Sequence, residues 1–461
     1  MDVKKISREL GVRYLLEGSV RRADDKVRIN AQLIDATTGG HLWADRYDGN
    51  LGDIFALQDS MTAKIVSALA LKLTADEQEH MARKETDNIE AYDAFLKGWA
   101  HYLRFTPDDF AKAVSYFEKA IKLDPNYGRA YAALALAYWR GSNLGWTRKL
   151  FIFFAEARLR VRPYLQRAMK NPTSIAHGVS SSMALFMHQH EEAIAEAERA
   201  IALDPNDADS HGMMARALIM AGRPEESISF LKRMMLLDPH NPSRPLGLLG
   251  MAHFCMGQLE EAVTLIERAL AHNPELREFA APLAATYAHL HRDQEARAAL
   301  DSYRKGYDHA ARGTLVRAMS FWPFRDPEVA DRFANGLLKA GLTGQPSGYY
   351  KLSEEHELTG EEIKVLVFGR KMYGGELVPS DLGLWRIHRT KDGKATYVGQ
   401  FVSDSGRSWI EGDMLCDQWQ KHFGGLKYCS RVFRNPEGTR QEENEYLLIR
   451  DFGIARFSPV D

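Results

Sequence analysis

Cysteine is scarce: Cys255, Cys416 and Cys429 are the three in 461 residues. That is too few for a disulfide-built fold, and their spacing matches no zinc motif. No apolar run reaches the roughly 20 residues that cross a bilayer as a helix. The first ten residues are charged and lack an apolar core, so they do not read as a signal peptide. Nor is there an excess of one charge: the net value of -2 implies no field for nucleic acid or membrane. These absences predict a chain with no nucleic-acid partner and no membrane span, placed in the cytoplasm as it stands.

Catalytic and metal-binding patterns are missing too. Asp451-Phe452-Gly453 copies the kinase metal-binding triplet, but only eight residues follow it, and the other kinase motifs are absent. His188, His190, Glu191 and Glu192 look metal-like, yet lack a third well-placed ligand and read as a solvated turn between helices. Glu442, Glu443 and Glu445 form an acidic run without a phosphate-binding loop. We therefore expect no catalytic residue, no metal site and no cofactor.

What recurs is Asp-Pro. Leu123-Asp124-Pro125-Asn126 returns as Leu203-Asp204-Pro205-Asn206, then Leu237-Asp238-Pro239, then His272-Asn273-Pro274, the last three prolines lying 34 and 35 residues apart. This period with a terminal proline is the signature of the tetratricopeptide repeat, a helix-turn-helix unit that stacks into a solenoid. Ala113, Phe117 and Ala120 before Pro125 alternate small and large, and Ala262, Ile266 and Ala269 before Pro274 do the same. The 80 residues from Pro125 to Pro205 exceed two repeats by about twelve. That excess falls near 139–162, where Trp146, Phe151, Phe153, Phe154 and several arginines are expected to pack on neighbours.

Before the solenoid, Tyr14–Val20, Val27–Asp35 and His41–Tyr47 read as strands, and Ile54 to Leu73 as a helix. So thin a sheet would leave an edge and a face uncovered, predicting that part of this unit is supplied from upstream or by another chain. After the solenoid, short strands at Leu384–Ile387, Tyr397–Val402, Ser408–Ile410, Tyr428–Phe433 and Glu445–Ile449 suggest a small β-sandwich or barrel. The expected organisation is an α/β unit over 1–75, a linker over 76–90, the solenoid over 91–308, a helix and linker over 309–348, and a β-rich unit over 349–461. The fold class is mainly α, a tetratricopeptide-repeat solenoid flanked by a partial α/β unit and a β-rich unit.

The solenoid's inner face comes from the first helix of each repeat. Its register selects Asp209, Arg216 and Ile219 in one repeat and Arg244, Met251 and Phe254 in the next as a candidate peptide groove. The alternative for Ile219 and Phe254 is packing between repeats. Cys416 and Cys429 are a candidate disulfide in an oxidising compartment and two buried thiols in a reducing one. A ligand pocket lined by Trp385, Tyr397 and Trp409 is a further reading of the β-rich unit.

The segments Glu9–Arg21 (ELGVRYLLEGSVR), Arg28–Gly39 (RINAQLIDATTG) and His41–Ala44 resemble the second half of the TolB-like domain that precedes tetratricopeptide repeats in rhizobial-type adenylate cyclase-like proteins. Ser408–Trp419 (SWIEGDMLCDQW) resembles their C-terminal extension. No cyclase domain is present, so no catalytic residue carries over. The resemblance implies a non-catalytic scaffold for a protein or peptide partner, linked to cyclic-nucleotide signalling. Alternatively, this is the regulatory portion of a class III cyclase whose catalytic domain lies outside the chain. If it is tethered as its membrane-linked relatives are, its repeats would face the periplasm.

Overall fold

In the computed structural model, the described residues are 5–7, 12–69, 85–152, 154–305, 314–343, 348–378, 383–399, 402–439 and 444–460. Most of the expected linker, Phe153, Glu442 and Glu443 lie outside them. Compactness divides the chain into Met1–Tyr92 and Asp93–Asp461.

In the first unit, strands β1 (Tyr14–Ala23), β2 (Lys26–Asp35) and β3 (Gly40–Asn50) form an antiparallel sheet in that order. Alternation along β2 sets the faces: Val27, Ile29, Ala31 and Leu33 point one way and are buried. Helix α1 (Ile54–Ala68) lays Ile54, Leu57 and Met61 over Val27, Ile29 and Tyr47. It therefore covers the β2–β3 side of that face.

Paired helices follow, the first of them starting just before the division at Tyr92. They are α2 (Ile89–Tyr102) and α3 (Pro107–Leu123), then α4 (Gly128–Leu144) and α5 (Phe154–Ala168). Next come α6 (Ser174–Phe186) with α7 (His190–Leu203), and α8 (Ala208–Met220) with α9 (Pro224–Leu237). The last pairs are α10 (Ser243–Cys255) with α11 (Leu259–His272), and α12 (Ala280–His289) with α13 (Asp293–Lys305). The recurring Asp-Pro has a local physical role. Asp124 and Asp204 end their helices in the extended conformation that a following proline demands. Their carboxylates then accept the amide two residues on, from Asn126 at 2.9 Å and Asn206 at 3.2 Å. Asn273 does the same for Glu275 at 3.0 Å. Small residues set the helix spacing: a Cβ on Gly250 would lie 2.5 Å from Ile266. The extra residues near 139–162 lengthen α4 and add a 3-10 turn, Trp146–Leu150. Trp146 packs on Phe105 and Phe110 and Phe154 is buried, whereas Phe151 is exposed.

Two further helices, α14 (Leu315–Phe321) and α15 (Pro327–Lys339), fold back on the repeats, and α16 (Gly360–Val367) leads into the β-rich region. There β4 (Arg370–Val378), β5 (Leu384–Arg389), β6 (Lys394–Gly399) and β7 (Ser403–Glu411) are followed by β8 (Met414–Trp419), β9 (Tyr428–Arg434), β10 (Tyr446–Arg450) and β11 (Gly453–Val460). Each pairs with the next and β11 returns to β4, so the sheet closes into a barrel and has no free edge. Of the two architectures expected, the barrel is the one formed. Its core takes in Ala155 and Leu159 of α5 and Ile363, Leu366 and Val367 of α16, so solenoid and barrel share apolar contacts. Asp451 lies in the β10–β11 turn and pairs with Arg162 at 2.6 Å, while Phe452 is buried. The kinase-like triplet is thus a turn that fastens the barrel to α5.

Candidate functional site

The expected groove residues separate into two groups. Ile219, Met251 and Phe254 are all but fully buried. They do not line an open groove, because the chain's own segment 314–325 runs across the repeats. Arg325 donates its backbone N–H to Met220 O at 2.8 Å, and His190 Nε2 meets Pro323 O at 2.8 Å. Trp322 lies tilted against Phe279 with ring centroids 5.7 Å apart, and α15 brings Phe333 edge-on to Phe254 at 6.0 Å. Packing is the outcome for these apolar side chains.

Arg216, Arg244 and Asp209 behave differently. Arg216 and Arg244 line a cleft with Arg140, Trp139, Glu278, Phe279, Phe321 and Trp322. Asp209 sits at its side, accepting from Arg244 Nη1 at 2.7 Å. Arg216 Nη2 donates to Phe321 O at 2.6 Å, and its guanidinium stands 4.6 Å over the Phe321 ring. Arg140 Nη1 donates to Tyr102 Oη at 3.0 Å and stands 5.0 Å over Phe105. Behind them Arg158 lies 3.3 Å over Trp139 and donates to Ser142 Oγ at 2.8 Å. These arginines are held mainly by rings and neutral oxygens. Arg216 Nε and Glu278 Oε2 are buried with no hydrogen-bond partner among the described residues.

An adjoining depression shares Asn143, Leu144, Glu278 and Phe321 with this cleft and adds Arg148, Lys149, Arg277 and Lys305, against Glu275. Lys149 is partnered by Asp108 at 2.9 Å and Arg277 by Glu275 at 3.2 Å. Cations still predominate along the whole cleft. Burial first, and then the neighbouring Arg244 and Arg140, push the Arg216 guanidinium down to about 10, with Glu278 opposing. Burial and Arg140 likewise lower Arg244, against Asp209. Arg140 thus disfavours the charge on both, and Arg244 that on Arg216. An anion entering the cleft would relieve that repulsion.

Sequence reasoning missed Arg140, Glu278, Phe321 and Trp322. Arg140 was within reach, because it falls in the arginine-rich stretch marked as an insertion. Phe321 and Trp322 follow the last repeat and carry no periodic signal.

In the barrel, Cys416 and Cys429 are directly paired residues of β8 and β9, with their sulfurs bonded. Trp385, Tyr397 and Trp409 do not converge. The first two are core residues, whereas Trp409 is on the outer face, donating to Glu411 at 3.0 Å. The interior is filled to the backbone: a Cβ on Gly374 would meet Trp385 at 2.7 Å, and one on Gly406 would meet Trp419 at 2.9 Å. His190 is buried and His188 half-buried rather than solvated, and His188 packs edge-on against Tyr349 at 4.7 Å.

The tetratricopeptide-repeat family model matches residues 107–145 and 185–251. A protein of Rhizobium meliloti (strain 1021) named "Putative adenylate cyclase 3" is 49% identical over 135 residues, which are 29% of this chain and 23% of that protein. The match thus spans about a quarter of the relative's length. Among solved structures, PilF of Pseudomonas aeruginosa aligns at 20% identity and TM-score 0.31, covering 46% of this chain and 94% of its own. A tetratricopeptide repeat protein of Parabacteroides merdae aligns at 13% identity and TM-score 0.32, covering 57% and 96%.

Proposed function

We propose that this protein is a protein-interaction scaffold that receives an acidic segment of its partner in the cleft of Arg140, Arg216 and Arg244. The observation that supports this is the surplus of cations over carboxylates there, with Arg140 and Arg216 held by rings and neutral oxygens while Arg244 pairs with Asp209. Carboxylates of an extended peptide would accept from the arginine forks, and its apolar side chains would meet Phe321 and Trp322. Because segment 314–325 fills the neighbouring groove, the partner engages the cleft rather than the full inner face.

Binding of a labelled Glu/Asp-rich peptide, followed by fluorescence anisotropy, tests the reading. It should fall steeply with salt and be lost on charge reversal at Arg277 and Lys305, while a Lys-rich peptide of equal length should not bind. Equal binding of both peptides would overturn it.

A second reading rests on the Rhizobium relative and on the N-terminal segments' resemblance to TolB-like domains: the scaffold serves cyclic-nucleotide regulation, as the non-catalytic part of a cyclase system. Purified protein with ATP and Mg²⁺ or Mn²⁺ should then make no cyclic AMP alone. It should change the output of a class III cyclase added in trans; no change in that output would remove this reading.

A further inference from the structure

Glu278 stands where the two depressions of the solenoid meet. Among the described residues it is the one carboxylate lining the cleft of Arg140, Arg216 and Arg244, and it also lines the depression of Arg148, Lys149, Arg277 and Lys305. Its place is set by a 3-10 turn, Arg277–Phe279, between α11 and α12. Both neighbours in that turn are fastened. Arg277 pairs with Glu275 at 3.2 Å, and Phe279 is buried so close to α10 that a Cβ on Gly247 would lie 2.6 Å from its ring.

The side chain between them is not fastened. Glu278 Oε2 is buried without a hydrogen-bond partner, and the carboxylate forms no ion pair among the described residues. The three arginines are engaged elsewhere: Arg140 with Tyr102 Oη, Arg216 with Phe321 O and Arg244 with Asp209. Yet the charge of Glu278 reaches all of them. It opposes the burial that lowers Arg216 and Arg244, and with Tyr102 and Asp209 it outweighs burial at Arg140, whose guanidinium is raised. A carboxylate gripped by one arginine fork would be taken up by that partner. A carboxylate shared at a distance lowers the repulsion of the whole group, and an anion entering the same space meets it as a like charge.

We infer that Glu278 is a tethered stand-in for the partner's carboxylate. It tempers the arginine cluster in the unbound protein and competes with the acidic segment on arrival. This role presupposes an acidic segment in the cleft, and it sets a ceiling on that segment's affinity. Removing the charge should therefore act in opposite senses on stability and on binding, which the loss of a residue that only packs would not do.

The test is Glu278→Gln in the full chain, with circular dichroism as the fold control. Gln keeps the length and removes the charge. Fluorescence anisotropy with the labelled Glu/Asp-rich peptide should show affinity about tenfold higher in the variant, with a steeper loss in salt. The melting temperature should fall. Sodium acetate, compared with sodium chloride at equal ionic strength, should raise it more in the variant than in the wild type, because the free carboxylate takes the vacated role. Glu278→Asp keeps the charge and should bind the peptide as the wild type does. Affinity unchanged or reduced by Gln, affinity raised equally by Asp, or acetate acting alike on variant and wild type would each overturn the inference. If neither protein binds the peptide while acetate still restores the variant, the acidic-segment reading falls and the role of Glu278 toward the arginines stands.

Discussion

The barrel and the solenoid both bury arginine, but they treat its charge in opposite ways. In the barrel, Arg389 meets Asp417 at 3.0 Å with Ser408 Oγ beside it, and Arg450 pairs with Glu376, which also accepts from Trp385 Nε1 at 3.1 Å. Each cation has its carboxylate, so the interior is electrically closed. In the solenoid cleft, Arg140 and Arg216 rest on rings and neutral oxygens, and Asp209 and Glu278 offset the repulsion among the arginines only in part at Arg216 and Arg244, both of which stay lowered. A region that satisfies its own charges has stability to lose from a substitution. One that leaves them unsatisfied has binding to lose. The following measurements break or sharpen that contrast.

The largest effect should come from orphaning a barrel arginine. Asp417→Ala leaves Arg389 buried without its counter-ion and should cost about 3–5 kcal/mol, read as a lowered urea midpoint. Replacing Arg389 by Met as well should recover much of it. A loss under about 1 kcal/mol would show that water reaches this pair.

Next is the strand crosslink. Cys416→Ser should cost about 3 kcal/mol for the 13-residue separation it closes, and the oxidised wild type should match the variant once reduced. Thiol-quenched mass spectrometry from the native host should find the pair bridged if the barrel matures in an oxidising compartment. Two alkylated thiols would place it in a reducing one.

A smaller effect is set by pH. Burial first, then Arg450, holds His422 down to about 4 from an ordinary 6.5, with Asp404 opposing. The folded state therefore binds this proton less readily than the unfolded chain. The associated stability is complete above pH 6.5 and is lost as pH falls toward 4. Allowing for partial exposure, the loss should be about 1–2 kcal/mol. His422→Gln should flatten the profile in that window, and an unchanged slope would assign it to other groups.

The smallest stability change is expected in the cleft. Arg216→Met keeps the packing on Phe321 while removing a charge its neighbours disfavour, so the melt should shift by less than about 1 kcal/mol. Affinity for the acidic peptide should nonetheless drop roughly tenfold. A variant that unfolds would make Arg216 a structural residue and erase the contrast with the barrel.

The solenoid was legible because its cause is local. An extended residue before proline, a side-chain oxygen capping the next turn, and alanines at helix crossings repeat in sequence as they do in space. Gly250 and Ala262 mark a close helix approach in either view. Five of the barrel strands were visible as short segments between turns, but closure was not, because pairing β11 with β4 joins residues about 80 apart in sequence. The groove was read from repeat register alone. Arg216 and Arg244 line one cleft, and register had no means of knowing that 314–325 would cover Ile219 and Phe254.

The sequence by itself therefore determined the repeat and its helices, the three N-terminal strands and five of the eight barrel strands, but not β4, β8 or β11, since what it did determine follows from spacing along one chain. Tertiary structure alone decided which candidate groove residues are covered and which arginines find a carboxylate. Those outcomes depend on what packs against a surface after folding, and the covering groups come from distant parts of the chain whose local pattern gives no sign of where they will land.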